Sequence, residues 1–219
     1  MATIASENLL KAILELSENG DSVIAARLAE LLRITSAAVS VALKRLRKKG
    51  YIRISSNHVI QLTAPGYRAA ADLVRRHRLV ERLLTDMLKM PWDKVHEEAE
   101  KLEHAISPAL EKRLLDLFGK NGSCPHGNPF SPQLPFHTNP NRFQLTEAPE
   151  NTPLRVVRIA ELHEQEKEFL QSLAQFGLVP GSRLMLVRKT FDGILDLKVG
   201  DKIATFSSQS GMRIWVEKI

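Results

Sequence analysis

The sequence predicts a multidomain chain, mainly α with β: an N-terminal winged helix-turn-helix, a helical middle domain and a C-terminal small β-barrel. Three observations carry this. Helical periods followed by a β-hairpin occupy the first 66 residues. Beyond them, two consecutive helices carry His and Glu at helical spacing. After Thr152 the hydrophobic period changes from helical to alternating.

In order along the chain, residues 6–18 form an amphipathic helix through Leu9, Leu10, Ile13, Leu14 and Leu16, stopped by Gly20. Residues 22–32 give a second, short helix. Thr35 or Ser36 caps a third that runs to Lys49 and ends at Gly50. Tyr51–Ile54 and Val59–Thr63 alternate around a polar turn at 55–58, a hairpin signal. Pro65–Gly66 punctuates, and a long helix follows from about Tyr67 to Met90. Pro91 opens the helix WDKVHEEAEKLEHAI, and Ser107–Pro108 caps another that ends at Gly119. Residues 120–150 hold six prolines without periodicity and read as an extended connector. The runs LRVVRI, RLMLVRK, ILDLKV, KIATF and MRIWVEK, with a helix at about 162–176, make the C-terminal β domain. The expected boundaries are 1–66 for the winged helix, 67–130 for the helical domain, 131–150 for a Pro-rich linker and 151–219 for the β domain.

Composition narrows the function. Hydrophobic residues at 43% and charged residues at 26% describe an ordinary globular protein. A net charge of +6 and a pI near 9.5 lean weakly toward an acidic partner such as nucleic acid. The single cysteine, Cys124, excludes an intrachain disulfide and fits a reducing compartment. No signal peptide and no run of about 20 apolar residues is present, so the expected location is cytoplasmic, with no membrane partner.

Two constellations carry chemistry. The third helix presents Ser36, Ala37 and Ser40 at its start, suited to base edges, and Lys44, Arg45 and Arg47 along its length, suited to phosphates. A basic solvated helix fits the same residues, but the order helix, turn, helix, hairpin favours double-stranded DNA. In the middle domain His96, Glu100, Glu103 and His104 share one helical face, and His77 and Glu81 share another. Facing helices that each offer His and Glu can enclose a divalent cation, and imidazole with carboxylate suits Mn²⁺, Fe²⁺, Zn²⁺ or Co²⁺. A solvated acidic face is the alternative. An open metal site would also fit an enzyme, but there is no HExxH motif and no Gly-rich phosphate loop. A winged-helix regulator indifferent to metal is a further reading. So is an iron-transport accessory role, which only the C-terminal domain suggests.

Residues 75–106, RRHRLVERLLTDMLKMPWDKVHEEAEKLEHAI, together with CPHGNPF, resemble the diphtheria toxin repressor family of iron- and manganese-dependent regulators. The resemblance covers nearly the whole chain, with an SH3-like or FeoA-like C-terminal domain as in its longer members. It implies a homodimeric repressor, not an enzyme, that binds palindromic operator DNA as one dimer or two and controls metal-homeostasis genes. It implies a primary metal site at Glu100, Glu103 and His104, joined by Asn8. It also implies a secondary or ancillary site from His77, Glu81, His96, Cys124 and His126, with Glu161 as a carboxylate from the C-terminal domain. The iron-sensing branch has sulfur where this chain has Glu100, so Mn²⁺ is the expected cofactor and an Fe²⁺-responsive regulator the alternative. Zn²⁺, Co²⁺ or Cd²⁺ are expected to substitute in vitro. The family's first-helix ligand is Met or Asp where this chain has Asn8, and the small manganese regulator of bacilli has a second acid where this chain has Lys11.

Overall fold

The structure, a computed structural model, describes residues 3–132, 141–160 and 166–219. The N-terminal unit is α1 (Ile4–Glu18), α2 (Ala25–Leu32), α3 (Ser36–Lys48) and the hairpin β1 (Ile52–Ile54) and β2 (Ile60–Leu62). Thr3 and Thr35 cap α1 and α3, their hydroxyls accepting from the backbone N–H groups of Ser6 and Ala38. The hairpin pairs Ile52 with Leu62 and Ile54 with Ile60, turning them to one face. One core gathers Leu9, Leu10, Ile13, Val39, Leu43, Leu46, Ile52 and Ile60. Helix α1 is therefore an integral wall of this unit.

The long helix α4 spans Ala64–Asp86. It starts three residues earlier than Pro65–Gly66 suggests, because Thr63 caps it and the proline sits in the first turn, where its missing N–H costs nothing. A Cβ on Gly66 would lie 1.9 Å from the Tyr51 carbonyl oxygen, so glycine lets the wing lie against this helix. Helix α5 is Val95–Leu102, followed by a 3-10 turn at Glu103–Ala105, rather than one helix opening at Pro91. The Pro91 carbonyl accepts from the Lys94 N–H to form a turn. Trp92 is drawn toward the C-terminal core, its indole N–H donating to the Pro125 carbonyl at 3.0 Å. Helix α6 (Pro108–Phe118) completes the middle unit.

The stretch expected to be an extended connector is folded where it is described. Residues 122–130 form a closed turn in which Cys124 N–H bonds to the Asn128 carbonyl and Phe130 N–H to that of Gly122. β3 (Arg142–Gln144) is already an edge strand of the C-terminal sheet. That sheet continues with β4 (Pro153–Ile159), β5 (Arg183–Lys189), β6 (Ile194–Val199), β7 (Lys202–Ser207) and β8 (Ile214–Lys218), with α7 (Glu166–Phe176) and the short α8 (Ser208–Gly211) between strands. The strand order is β3-β8-β4-β5-β6-β7, so the sheet is open and not the expected closed barrel. Phe169, Leu170 and Leu173 of α7 pack against Val156, Leu186, Leu197 and Val216, so a helix rather than strand pairing closes the core.

The C-terminal unit is docked on the rest. Trp215 donates its indole N–H to Asn19 Oδ1 at 3.0 Å, and Ile159 N–H bonds to the His126 carbonyl at 2.8 Å. Gly127 has φ +83°, and a Cβ there would lie 2.3 Å from the Val157 carbonyl oxygen. Among the described residues no helix is long and apolar enough to cross a membrane.

Candidate functional site

On α3, Ser36, Ala37, Ser40, Lys44, Arg45 and Arg47 are all exposed, while Val39, Leu43 and Leu46 are buried. The helix thus anchors one face and offers the other, cationic one to solvent. Val41 is exposed on it as well, an apolar contact that sequence reading did not single out.

The imidazoles and carboxylates of the middle unit form three adjoining groups. The first is centred on Glu81. Its Oε1 lies 3.1 Å from His77 Nε2, 3.3 Å from His96 Nδ1 and 3.4 Å from His126 Nδ1. Two triads with donor atoms within 4.8 Å of one another share this residue: His77–Glu81–His96 and Glu81–Cys124–His126. His77 and Glu81 are one turn apart on α4, and the closed turn at 122–130 lowers Cys124 and His126 onto them. The Trp92 ring packs 4.6 Å from that of His126. Burial opposes ionisation of Glu81, yet His77 and His126 hold its carboxyl well below the ordinary value. Its Oε2 is buried and has no hydrogen-bond partner among the described residues. A buried carboxylate oxygen left unsatisfied beside imidazoles and a thiol fits a cation-binding position.

The second group spans two units. His104 Nε2 lies 2.8 Å from Asn8 Oδ1 and 3.6 Å from Glu103 Oε1, and His104 Nδ1 lies 2.9 Å from Glu7 Oε2. Asn8 and Glu7 come from the first turns of α1, and Glu103 and His104 from the 3-10 turn after α5. Glu100, predicted to join them, stands apart: its side chain is 57% exposed, 3.7 Å from His96 and 4.0 Å from Lys11. Glu103 itself keeps helical backbone and its N–H bonds to the Ala99 carbonyl, so Glu100 still lies one turn before it and both reach the Lys11 Nζ, at 4.0 and 2.8 Å. Glu161 lies outside the described residues.

The third group joins the first two. Lys11 Nζ donates to Glu103 Oε2 at 2.8 Å and lies 3.0 Å from His77 Nδ1, and the His77 Nδ1 proton reaches the same Glu103 oxygen at 2.6 Å. Burial disfavours the Lys11 ammonium, but Glu15, Glu103 and Glu100 outweigh it and raise its pKa above the ordinary lysine range. Burial also opposes Glu103, yet Lys11 and His77 bring its carboxyl down to about 2. Burial pushes Glu15 up to about 7. Burial and Lys11 oppose protonation of His77, but Glu81 and Glu103 prevail and raise its pKa. Sequence reading missed Glu7 and Glu15. The available signal was a charged column at 7, 11 and 15, one residue per turn, interrupting the apolar run 9–16.

Comparison with known proteins follows the same division. Residues 1–58 match "Iron dependent repressor, N-terminal DNA binding domain", residues 63–131 "Iron dependent repressor, metal binding and dimerisation domain", and residues 143–218 "FeoA domain". The chain is 30% identical to the iron-dependent repressor IdeR of Mycobacterium leprae, covering 98% of this chain and 97% of that one. It is also 30% identical to the diphtheria toxin repressor of Corynebacterium diphtheriae, with the same coverage. A solved structure described as a manganese-dependent transcriptional repressor in complex with manganese superposes with a TM-score of 0.83 at 29% identity, covering 98% of this chain and 100% of that one.

Proposed function

This chain belongs to the diphtheria toxin repressor family of metal-dependent transcriptional repressors, and from that premise we propose that it is a cytoplasmic, Mn²⁺-activated repressor. It binds palindromic operator DNA as a homodimer and controls metal-homeostasis genes. One observation carries the reading. Helix α1 packs its apolar face into the core that holds the DNA-facing α3, and offers Asn8 and Glu7 to His104 of the middle unit. Anything that tightens the Asn8–His104 junction fixes the angle of the recognition helix.

The primary ion is held by Asn8, Glu100, Glu103 and His104. Glu7 keeps the far nitrogen of His104 protonated and so turns Nε2 toward the ion. Glu100, exposed on α5, swings in to complete the set. All these donors are oxygen or imidazole nitrogen, which suits Mn²⁺; Fe²⁺ fits the same set and is the second reading. A divalent cation, when bound, supplies the positive charge that carboxylates from two units need to lie side by side. The secondary site takes His77, Glu81, His96, Cys124 and His126, and its thiol suits Zn²⁺ or Cd²⁺ better.

Dimerisation uses α6. Of its residues Leu114 is buried, while Leu110 and Leu117 are 42% and 59% exposed on one face. Two recognition helices then have to sit about one DNA turn apart, roughly 34 Å, to read both half-sites. A titration of operator DNA against Mn²⁺, Fe²⁺ and Zn²⁺, with a chelator control, tests the proposal. Mn²⁺ is expected to tighten binding by about 5- to 150-fold, and the plateau gives one dimer or two per operator. Equal affinity with metal and with chelator contradicts it.

A further inference from the structure

We propose that the Lys11 ammonium is a resident cation: it holds α1 against α4 and the 103–105 turn before any metal arrives, and it occupies the space that a second divalent ion beside Glu103 would need. The inference rests on the preceding reading in one respect, that Asn8, Glu103 and His104 take an ion.

Lysine is seldom buried, because its charge is expensive to desolvate unless it is paired. Here the residue is 5% exposed, inside the apolar run of a core helix. Its Nζ meets groups from other segments: Glu103 Oε2 on the 3-10 turn at 2.8 Å, His77 Nδ1 on α4 at 3.0 Å and Glu100 Oε1 on α5 at 4.0 Å. One ammonium therefore gathers the DNA-binding unit and the middle unit at the junction that the ion is to close.

The two oxygens of Glu103 divide the work. Oε2 accepts from Lys11 and His77, while Oε1 faces His104 Nε2 at 3.6 Å. The carboxylate is thus held by the internal cation with one oxygen free for the Asn8–His104 side. A second dication on the Oε2 side would collide with the ammonium and repel it. Two consequences follow. This face holds one ion, and the metal-free junction is already partly formed, so metal tightens an existing contact rather than building one.

The test uses the full-length protein. In metal-free hydrogen exchange, Lys11→Met is expected to speed exchange of the α1 amides and the 103–105 turn by about 10- to 100-fold, since a buried carboxylate loses its partner. Global unfolding of metal-free Lys11→Met that added Mn²⁺ reverses counts as the same result. By native mass spectrometry in excess Mn²⁺, Lys11→Glu is expected to carry one more Mn²⁺ per subunit than wild type. Unchanged α1 exchange in Lys11→Met, or equal Mn²⁺ counts in wild type and Lys11→Glu, overturns the proposal. Neither readout involves DNA, so failure of metal-dependent operator binding is a separate outcome.

Discussion

The Glu81 cluster and the Asn8–His104 cluster use similar ligand types but are built in opposite ways. Glu81, Cys124 and His126 are all buried, brought together by one helix and a closed turn that the C-terminal sheet clamps from behind. Asn8, Glu7 and His104 are partly exposed and come from two units that meet along this face. A buried, prebuilt site acts as a clip, because its geometry hardly depends on where the domains sit. A half-open site between units acts as a switch, because closing it changes their relative position.

The sharpest way to break this contrast is at the residue the regions share. Glu103→Ala leaves the Lys11 ammonium buried without its carboxylate, and we expect it to cost about 3–5 kcal/mol of stability in the metal-free protein, read by denaturant unfolding. Loss of DNA binding in that variant would therefore combine misfolding with a lost ligand.

Acid titration of the metal-free protein probes the same junction. Glu103, at about 2 in the fold against an ordinary 4.5, contributes stability that is present above pH about 4.5 and lost as pH falls toward 2, on the order of 3 kcal/mol. Glu15, raised to about 7, acts oppositely: its contribution is fully present below pH about 4.5 and fades as pH rises through 7. Together these groups place the stability maximum of the metal-free protein near pH 5, measurable by melts across pH 2–8. A maximum at or above pH 7 would show that burial does not raise Glu15, and stability that stays constant from pH 4.5 down to 2 would show that the Lys11–Glu103 pair is not formed.

The clip is expected to give smaller effects. A chain ending after residue 150 loses β4 to β8, and with them the hydrogen bonds from Ile159 N–H to His126 and from Trp215 to Asn19. Its metal-stimulated operator binding should fall by about tenfold without disappearing. Cys124→Ala should weaken the response less than the truncation, by under about tenfold. A complete loss of response in Cys124→Ala would mean that the Glu81 cluster, not the Asn8–His104 face, is the switch.

The sequence reveals the parts of this arrangement that depend on periodicity. The winged helix follows from apolar spacing and caps, and the pairing of His77 with Glu81 follows from a four-residue interval on an unbroken helix. What it hides depends on contacts far apart along the chain. Trp92 anchors to Pro125, so α5 begins late, and its Glu100 side chain is left exposed while Glu103 and His104 are drawn toward α1. The open sheet is equally hidden, because α7 closes the core by packing that no strand pattern encodes. The partners of Lys11 and Glu7 are hidden too, because they come from α4 and the 103–105 turn, far along the chain.

The central claim is that closure of the Asn8–His104 face couples metal to DNA, and His104→Ala tests it most directly. His104 is partly exposed and no carboxylate depends on it for burial, so the fold should survive its loss. Operator affinity is to be measured for wild type and His104→Ala, each with saturating Mn²⁺ and with chelator. We expect wild type to gain about 5- to 150-fold with metal and His104→Ala to gain nothing, with equal chelator values for the two proteins. A variant that keeps the full wild-type gain would contradict the account.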